Sequence, residues 1–293
     1  MGRMSTLIPG RVNLVTLALL ALSLGSTALA GCGTQTAGSS ATTPPSVTLN
    51  VFAAASLTGA FGEIATSFAK QNPGVKVSYN FAGSDALAAQ ITQGAPADAF
   101  ASANAAQMNV VVKGGHVDGA SVKTFAHNRL VVIYPSANPA HLQTLQDLAK
   151  PGLKLDLAAA TVPVGAYALD FLTKASAESS FGTSYKANVL KNVVSYETDV
   201  KVVLSKVSLG EADAGIVYTT DAATETSSVS TIAIPDALND IALYPIAPVK
   251  AASHAALAEQ FVAYVDSTAG QATLAKYGFI AGATGAQYAP PAS

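Results

Sequence analysis

The stretch VFAAASLTGAF, Val51 to Phe61, decides the fold. The apolar run VTLNVFAAA (47–55) reads as a strand buried on both faces, and it stops at Ser56. The next segment, LTGAFGEIATSFAK, carries apolar residues at 57, 60, 61, 64, 65 and 68, which is helical spacing. A strand handed to a helix through one small hydroxyl residue is half of a βα unit. The same change recurs along the chain. VKVSYNFAG precedes DALAAQITQG (75–94), and LVVIY (130–134) is a further strand. LDLAA (155–159) precedes a helix predicted from about 166 to 176, VVSYE (193–197) precedes one from about 199 to 209, and AGIVY (214–218) comes after it. This alternation predicts an α/β fold with helical crossovers between parallel strands. Gly94 and Gly210 each come after a helical run and suit the left-handed position that closes a helix. Near the end, HAALAEQFVAYVDS and GQATLAKYGF read as two amphipathic helices, expected to return to the first half of the fold.

The chain has 293 residues, half of them apolar, 12% charged, with a formal net charge of -2. No basic surface argues for nucleic acid, and no acidic tract argues for a solvating tail. Arg3 and Arg11 precede VNLVTLALLALSLG (12–25), too short for a comfortable membrane span but suited to the core of a secretion signal. The segment ends in Leu29-Ala30-Gly31-Cys32, which looks like a bacterial lipobox, and Cys32 is the one cysteine in the chain. Residues 1–31 are therefore expected to be a lipoprotein signal peptide. Lipid on Cys32 would tether the protein to the outer face of the cytoplasmic membrane. Residues 32–46, small, polar and Pro-containing, read as a flexible tether.

Four strand-to-helix junctions resemble one another: Ser56 after VFAAA, Ser84 after FAG, Pro163-Val164-Gly165 before AYALDFL, and Thr198-Asp199-Val200 before KVVLSKVSL. Each gathers unpaired backbone N–H groups and the positive end of a helix dipole, and ligands of open α/β sheets bind at the carboxyl ends of strands. Ser56, Ser84 and Thr198 are also plausible N-caps. None of the four turns contains Lys, Arg or His; the nearest is Lys201, just inside the last helix. Amides and hydroxyls without a paired cation suit a small anion held by hydrogen bonds.

Enzyme signatures are weak. Ser67-Phe68-Ala69-Lys70 matches S-x-x-K but falls late in a helix, and no S-D-N or K-T-G comes after it. Ser84 sits in AGSDA, not in a nucleophile elbow. His116, His127, His141 and His254 form no metal-binding pattern and are expected at the surface or at caps. No phosphate loop of the G-x-x-x-x-G-K type occurs, so ATP hydrolysis would belong to a partner. The sequence predicts no enzyme and no cofactor.

VFAAASLTGAF resembles the start of the molybdate-binding proteins of bacterial ABC importers. The likeness continues through FAGSDALAAQI, QGAPADAFASAN, NRLVVIYP, ATVPVGAYA, TDVKVVLSKVSLGEADAGIVYTTDA, YPIA and LAKYGF, over roughly Val47 to Ile280. The resemblance implies a two-lobed periplasmic-binding-protein fold of type II, each lobe a mixed sheet flanked by helices, closing on a tetrahedral oxyanion. It implies a first lobe of residues 47–127 plus 248–293 and a second of 128–247, with crossings near Asn128 to Tyr134 and Tyr244 to Val249. Ser56 and Ser84 would donate from the first lobe. Val164 and Val200 would donate backbone N–H groups from the second, and Tyr218, a position given by the resemblance alone, its phenol. Asn104 stands where the family usually carries Asp. The implied ligand is molybdate, with tungstate as the near-isostere, molybdenum entering only as the bound oxyanion without direct protein ligands. The implied partner is an ABC permease, and the protein is expected to be a monomer.

A cage made only of donors favours a dianion with no proton of its own; a protonated phosphate would want an acceptor, for which Asp85 is the nearest candidate. The alternatives are the same fold holding another small anion or an organic solute, and a surface lipoprotein that contacts other proteins. An amino-acid site would ordinarily carry an Arg for the carboxylate, and the four turns have none.

Overall fold

A computed structural model describes residues 46–291. The expected signal peptide, Cys32 and all of the expected tether but its last residue lie outside the described residues. Strand β1 (Val47–Ala54) passes through a 3-10 turn (Ala55–Leu57) into α1 (Thr58–Gln71), succeeded by β2 (Val75–Ala82), α2 (Ser84–Thr92), β3 (Ala99–Ala101), α3 (Ala105–Lys113) and β4 (Lys123–Asn128). Next come β5 (Leu130–Pro135), β6 (Leu155–Ala158), α4 (Pro163–Ala177), α5 (Tyr185–Lys191), β7 (Val193–Glu197), α6 (Val200–Ser208), β8 (Ala214–Tyr218), α7 (Thr219–Ala222) and β9 (Val229–Ala233). The chain ends with β10 (Ala242–Pro248), α8 (Ala255–Asp266), α9 (Thr268–Lys276) and β11 (Ile280–Ala281).

The strands form two mixed sheets, one of six in the order β11-β4-β10-β3-β1-β2 and one of five in the order β7-β6-β8-β5-β9. In the first, β1 runs parallel to β2 and β3, while β10 is antiparallel to β3 and β4. In the second, β6 runs parallel to β7 and β8, and β5 is antiparallel to β8 and β9. The backbone passes from one sheet to the other at Arg129 and returns between Ala233 and Ala242. That return comes before the expected one near Tyr244: β10 pairs wholly within the six-stranded sheet. Its apolar pattern marks a strand, but only pairing decides which sheet the strand joins.

The six-stranded sheet is covered on both faces, which explains the unbroken apolar run of β1. Leu49, Val51 and Ala53 point to the layer of Phe61, Ile64, Phe68 and Phe261, and Phe52 points to the layer of Leu87, Ile91, Met108 and Val111. Helices α8 and α9 do pack onto α1. Phe68 meets Phe261 edge-on at 5.3 Å between ring centres, and Lys276 reaches Glu63 at 2.6 Å. Gly94 and Gly210 adopt φ of +89° and +73°, as expected for helix-closing residues. Among the histidines, His127 departs from expectation. It is fully buried on β4, and its ring nitrogens face the carbonyls of Ala281 (3.4 Å) and Ala286 (2.7 Å) in the C-terminal segment.

One buried acid lies apart from the strand ends. Asp156 on β6 has no solvent exposure, and neither carboxyl oxygen has a hydrogen-bond partner among the described residues. Glu197 on the neighbouring β7 is held by Lys206 at 2.5 Å and by the Ser195 hydroxyl. Burial, then the adjacent Glu197 charge, push the Asp156 carboxyl up to about 7. The folded state thus keeps a proton that the unfolded chain releases near its ordinary value of 3.8. Asp156 therefore costs stability progressively as pH rises from about 4 to about 7, with no further loss above that. Asp156→Asn is expected to raise the melting temperature by several degrees at pH 8 and by little at pH 4, as read by thermal unfolding across pH; a gain independent of pH would contradict the assignment.

Candidate ligand-binding site

Strands β1, β2, β6, β7 and β8 all end at one place. A small cavity of about 10 Å³ there is lined by Ser56, Gly83, Ser84, Ala103, Val164, Val200 and Tyr218, together with Ala54, Ala55, Ala82, Val162, Pro163 and Asp199. All five residues expected at the site are therefore brought together from two sheets. The small residues on the strand ends let the helix starts come close. A Cβ on Gly165 would collide with the carbonyls of Ala158 and Ala159, so the first turn of α4 packs directly on the end of β6.

The helix starts differ from expectation in a way that frees the hydroxyls. Ser56 is not a cap; it lies inside the 3-10 turn, and the residue before α1 is Leu57, with no side-chain cap bond. Ser84 is the first residue of α2 behind Gly83, and its Oγ accepts the backbone N–H of Ala103 at 3.0 Å. With that lone pair engaged, its proton is left to be donated elsewhere. At α6 the cap is Asp199, not Thr198: one carboxylate oxygen accepts Lys201 N–H (2.8 Å) and Val202 N–H (3.2 Å), passing over Val200. On α4 the first position is Pro163, which has no N–H, and Val162 offers no side-chain cap, so Val164 supplies the first amide.

Sequence reasoning missed the residues behind Ser56. Ser56 Oγ lies 3.0 Å from the Tyr244 phenol oxygen, and Asn128 Nδ2 donates to that same oxygen at 3.5 Å and to Thr220 Oγ1 at 2.8 Å. An amide nitrogen of Asn only donates, so the Tyr244 oxygen accepts from Asn128, and the Ser56 and Tyr244 hydroxyls share a further hydrogen bond in which either can donate. Tyr244 lies in YPIA on β10, far from any helix start, and no local signal marks it.

Tyr218 is 1% exposed, packs edge-on against Tyr244 at 5.8 Å between ring centres, and its hydroxyl has no hydrogen-bond partner among the described residues. Burial holds its phenol well above the ordinary range, so it keeps its proton and can donate it in a hydrogen bond. A buried hydroxyl without a partner costs about 1–3 kcal/mol, which makes it a mark of a ligand contact.

The nearest cation is already paired: Lys201 Nζ lies 2.8 Å from Asp221 Oδ1, on a fully buried carboxylate. Asn104 caps α3, its Oδ1 accepting Gln107 N–H at 2.9 Å. Among the described residues no cluster of three or more His, Cys, Asp or Glu side chains could hold a metal ion, and no helix is long and apolar enough to cross a membrane.

Comparison with known proteins fits this geometry. The profile of a family described as bacterial extracellular solute-binding protein matches residues 49–280. The molybdate-binding protein ModA of Mycobacterium tuberculosis H37Rv is 40% identical over 253 residues, 86% of this chain and 92% of that protein. Among solved structures, the substrate-binding domain of a putative molybdenum ABC transporter from Clostridium difficile is 30% identical, with a TM-score of 0.59 over 80% of this chain and 99% of that one. The periplasmic molybdate-binding protein of Azotobacter vinelandii, at 23% identity, shares the fold with a TM-score of 0.68 over 79% of this chain and 98% of its own. With donors from two sheets converging on one cavity and a profile match spanning both, the chain belongs to the bacterial extracellular solute-binding proteins.

Proposed function

We propose that the protein captures a tetrahedral oxyanion dianion, molybdate and its near-isostere tungstate, between its two lobes and delivers it unchanged to an ABC permease. The observation that carries this reading is a cavity edged by donors, with the Tyr218 hydroxyl buried beside it and unpartnered. Ser56 and Ser84 hydroxyls, the amides of Val164 and Val200 and the Tyr218 phenol supply the hydrogen bonds. The positive ends of α2, α4 and α6 favour the negative charge. The relatives named molybdate-binding protein support the choice of oxyanion. In this reading Cys32 carries the lipid that keeps a monomeric protein at the outer face of the membrane, beside the permease, and no chemistry is done on the ligand.

Selectivity stems from proton count. Molybdate, tungstate and sulfate accept at every oxygen near neutral pH, whereas monoprotonated phosphate brings a donor. The carboxylate that lines the cavity, Asp199, already accepts the Lys201 and Val202 N–H groups, and Asp85, next to Ser84, already accepts from Thr161 Oγ1 at 2.7 Å. Matching a ligand proton against donors alone costs about 1–3 kcal/mol, a factor of roughly ten to a hundred.

Thermal unfolding of residues 33–293 with each anion in turn tests the ligand. Molybdate at about one hundred times its dissociation constant is expected to add about 2.7 kcal/mol of stability, while phosphate adds little; no stabilisation by any oxyanion would reject the reading. Two substitutions separate the donors. Tyr218→Phe is expected to weaken molybdate binding by about 1–3 kcal/mol in calorimetry while leaving the ligand-free melting temperature unchanged or higher, because it removes an unpartnered buried hydroxyl. Ser84→Ala is expected to weaken binding similarly but also to lower ligand-free stability by about 1 kcal/mol, because the Ala103 N–H loses its acceptor.

A further inference from the structure

Three contacts bridge the two sheets at the rim of the cavity, and none involves a residue assigned to the ligand. Thr161 Oγ1, in the turn before α4, donates to Asp85 Oδ2 on α2 at 2.7 Å. Gln107 Nε2, on α3, donates to the carbonyl of the same Thr161 at 3.0 Å. Gly83, which precedes α2, comes so near the end of β7 that a Cβ would collide with the Thr198 carbonyl. Asp85 and Gln107 belong to helices on the six-stranded sheet, Thr161 to a turn of the five-stranded one. Asp85 and Thr161 each stand beside a lining residue: Asp85 comes after Ser84, and Thr161 precedes Val162.

We propose that Asp85, Thr161 and Gln107 form a clasp that holds the cleft shut over its ligand, so that they set how long the ligand stays without touching it. The inference rests on the ligand-capture reading above. A ligand enclosed between two lobes leaves only when they part, and parting here breaks both bonds to Thr161 at once. Asp85 and Gln107 converge on one residue from two different helices. Rotation of the five-stranded half about the crossings at Arg129 and at 233–242 would carry Thr161 away from both. Bonds made only in the closed state slow opening and leave encounter with the open cleft alone, so they act on release more than on association. The clasp also gives Asp85 a role as a bridge between lobes, not as an acceptor for a ligand proton.

The test measures molybdate release and association by stopped-flow tyrosine fluorescence, which the chain's 10 tyrosines and absence of tryptophan make practicable. Asp85→Ala and Thr161→Val are each expected to speed release by about five- to tenfold, with association changed less than about twofold. Thr161→Ser, which keeps the hydroxyl, and Asp85→Asn, which keeps an acceptor oxygen, are expected to restore slow release. A merely structural role would instead lower the ligand-free melting temperature and would not split the two rates. Small-angle scattering of the ligand-free protein supplies a readout independent of the ligand, with a larger radius of gyration expected for Asp85→Ala than for the parent chain. Unchanged release in both variants, while the parent binds molybdate, would overturn the clasp. Should the parent bind no oxyanion, the ligand reading falls separately, and the clasp then stands or falls on the scattering: an unchanged radius overturns it, and an enlarged one supports it.

Discussion

A helix cannot satisfy its own first amides, and the site is built from that deficit. In most helices the first N–H groups are met by a side-chain cap or by water. Here α2 and α4 have no side-chain cap, and α6 has one that serves its second and third amides but not its first. Parallel pairing of β1 with β2 and of β6 with β7 and β8 sends these helix starts in the same direction from each sheet. The two sheets then meet at those ends. Donors and dipoles from four chain segments converge on a single pocket whose lining has no Lys, Arg or His, which suits a ligand that must be held and later released.

Around that deficit the protein arranges which protons point inward. Ala103 N–H occupies a lone pair on Ser84 and leaves that hydroxyl to donate, while the Ser56 hydroxyl shares a hydrogen bond with the Tyr244 phenol. The Asn128 amide donates to the Tyr244 oxygen, and Asn128 is itself anchored where the chain crosses between sheets, its Oδ1 accepting Arg129 N–H and Thr219 Oγ1. The crossing between sheets and the cavity are thus linked through one asparagine. The Lys201–Asp221 pair has a related effect: it ties the start of α6 to the turn after Tyr218 and keeps the nearest ammonium bound to a carboxylate. In the proposed reading, selection rests on hydrogen-bond pattern in place of net charge.

The amino-acid sequence by itself determined the elements and most of their order. Period-two and period-3.6 patterns located β1, β2, β5 to β8 and the long helices within a few residues, and the two positive-φ glycines closed the helices expected of them. It also pointed to Ser56, Ser84, Val164 and Val200, because a strand that becomes a helix is a local event written in adjacent residues. Tyr218 came from resemblance to a family, since a tyrosine at a strand end has no local signature.

Only the tertiary structure decided the rest. Short strands such as β3, of three residues, lack the length to show a period, and β10 joined the first sheet because its edges fit β3 and β4, a choice its own pattern does not encode. Capping escapes the sequence for the same reason. A serine beside a helix start is a cap or a ligand donor according to whether a distant amide or phenol takes its lone pair, and Ala103 lies 19 residues from Ser84 while Tyr244 lies 188 from Ser56. Hydrogen-bond direction depends on partners brought together by folding, so four of the residues that line the cavity could be read along the chain, but the partners that orient their hydroxyls could not.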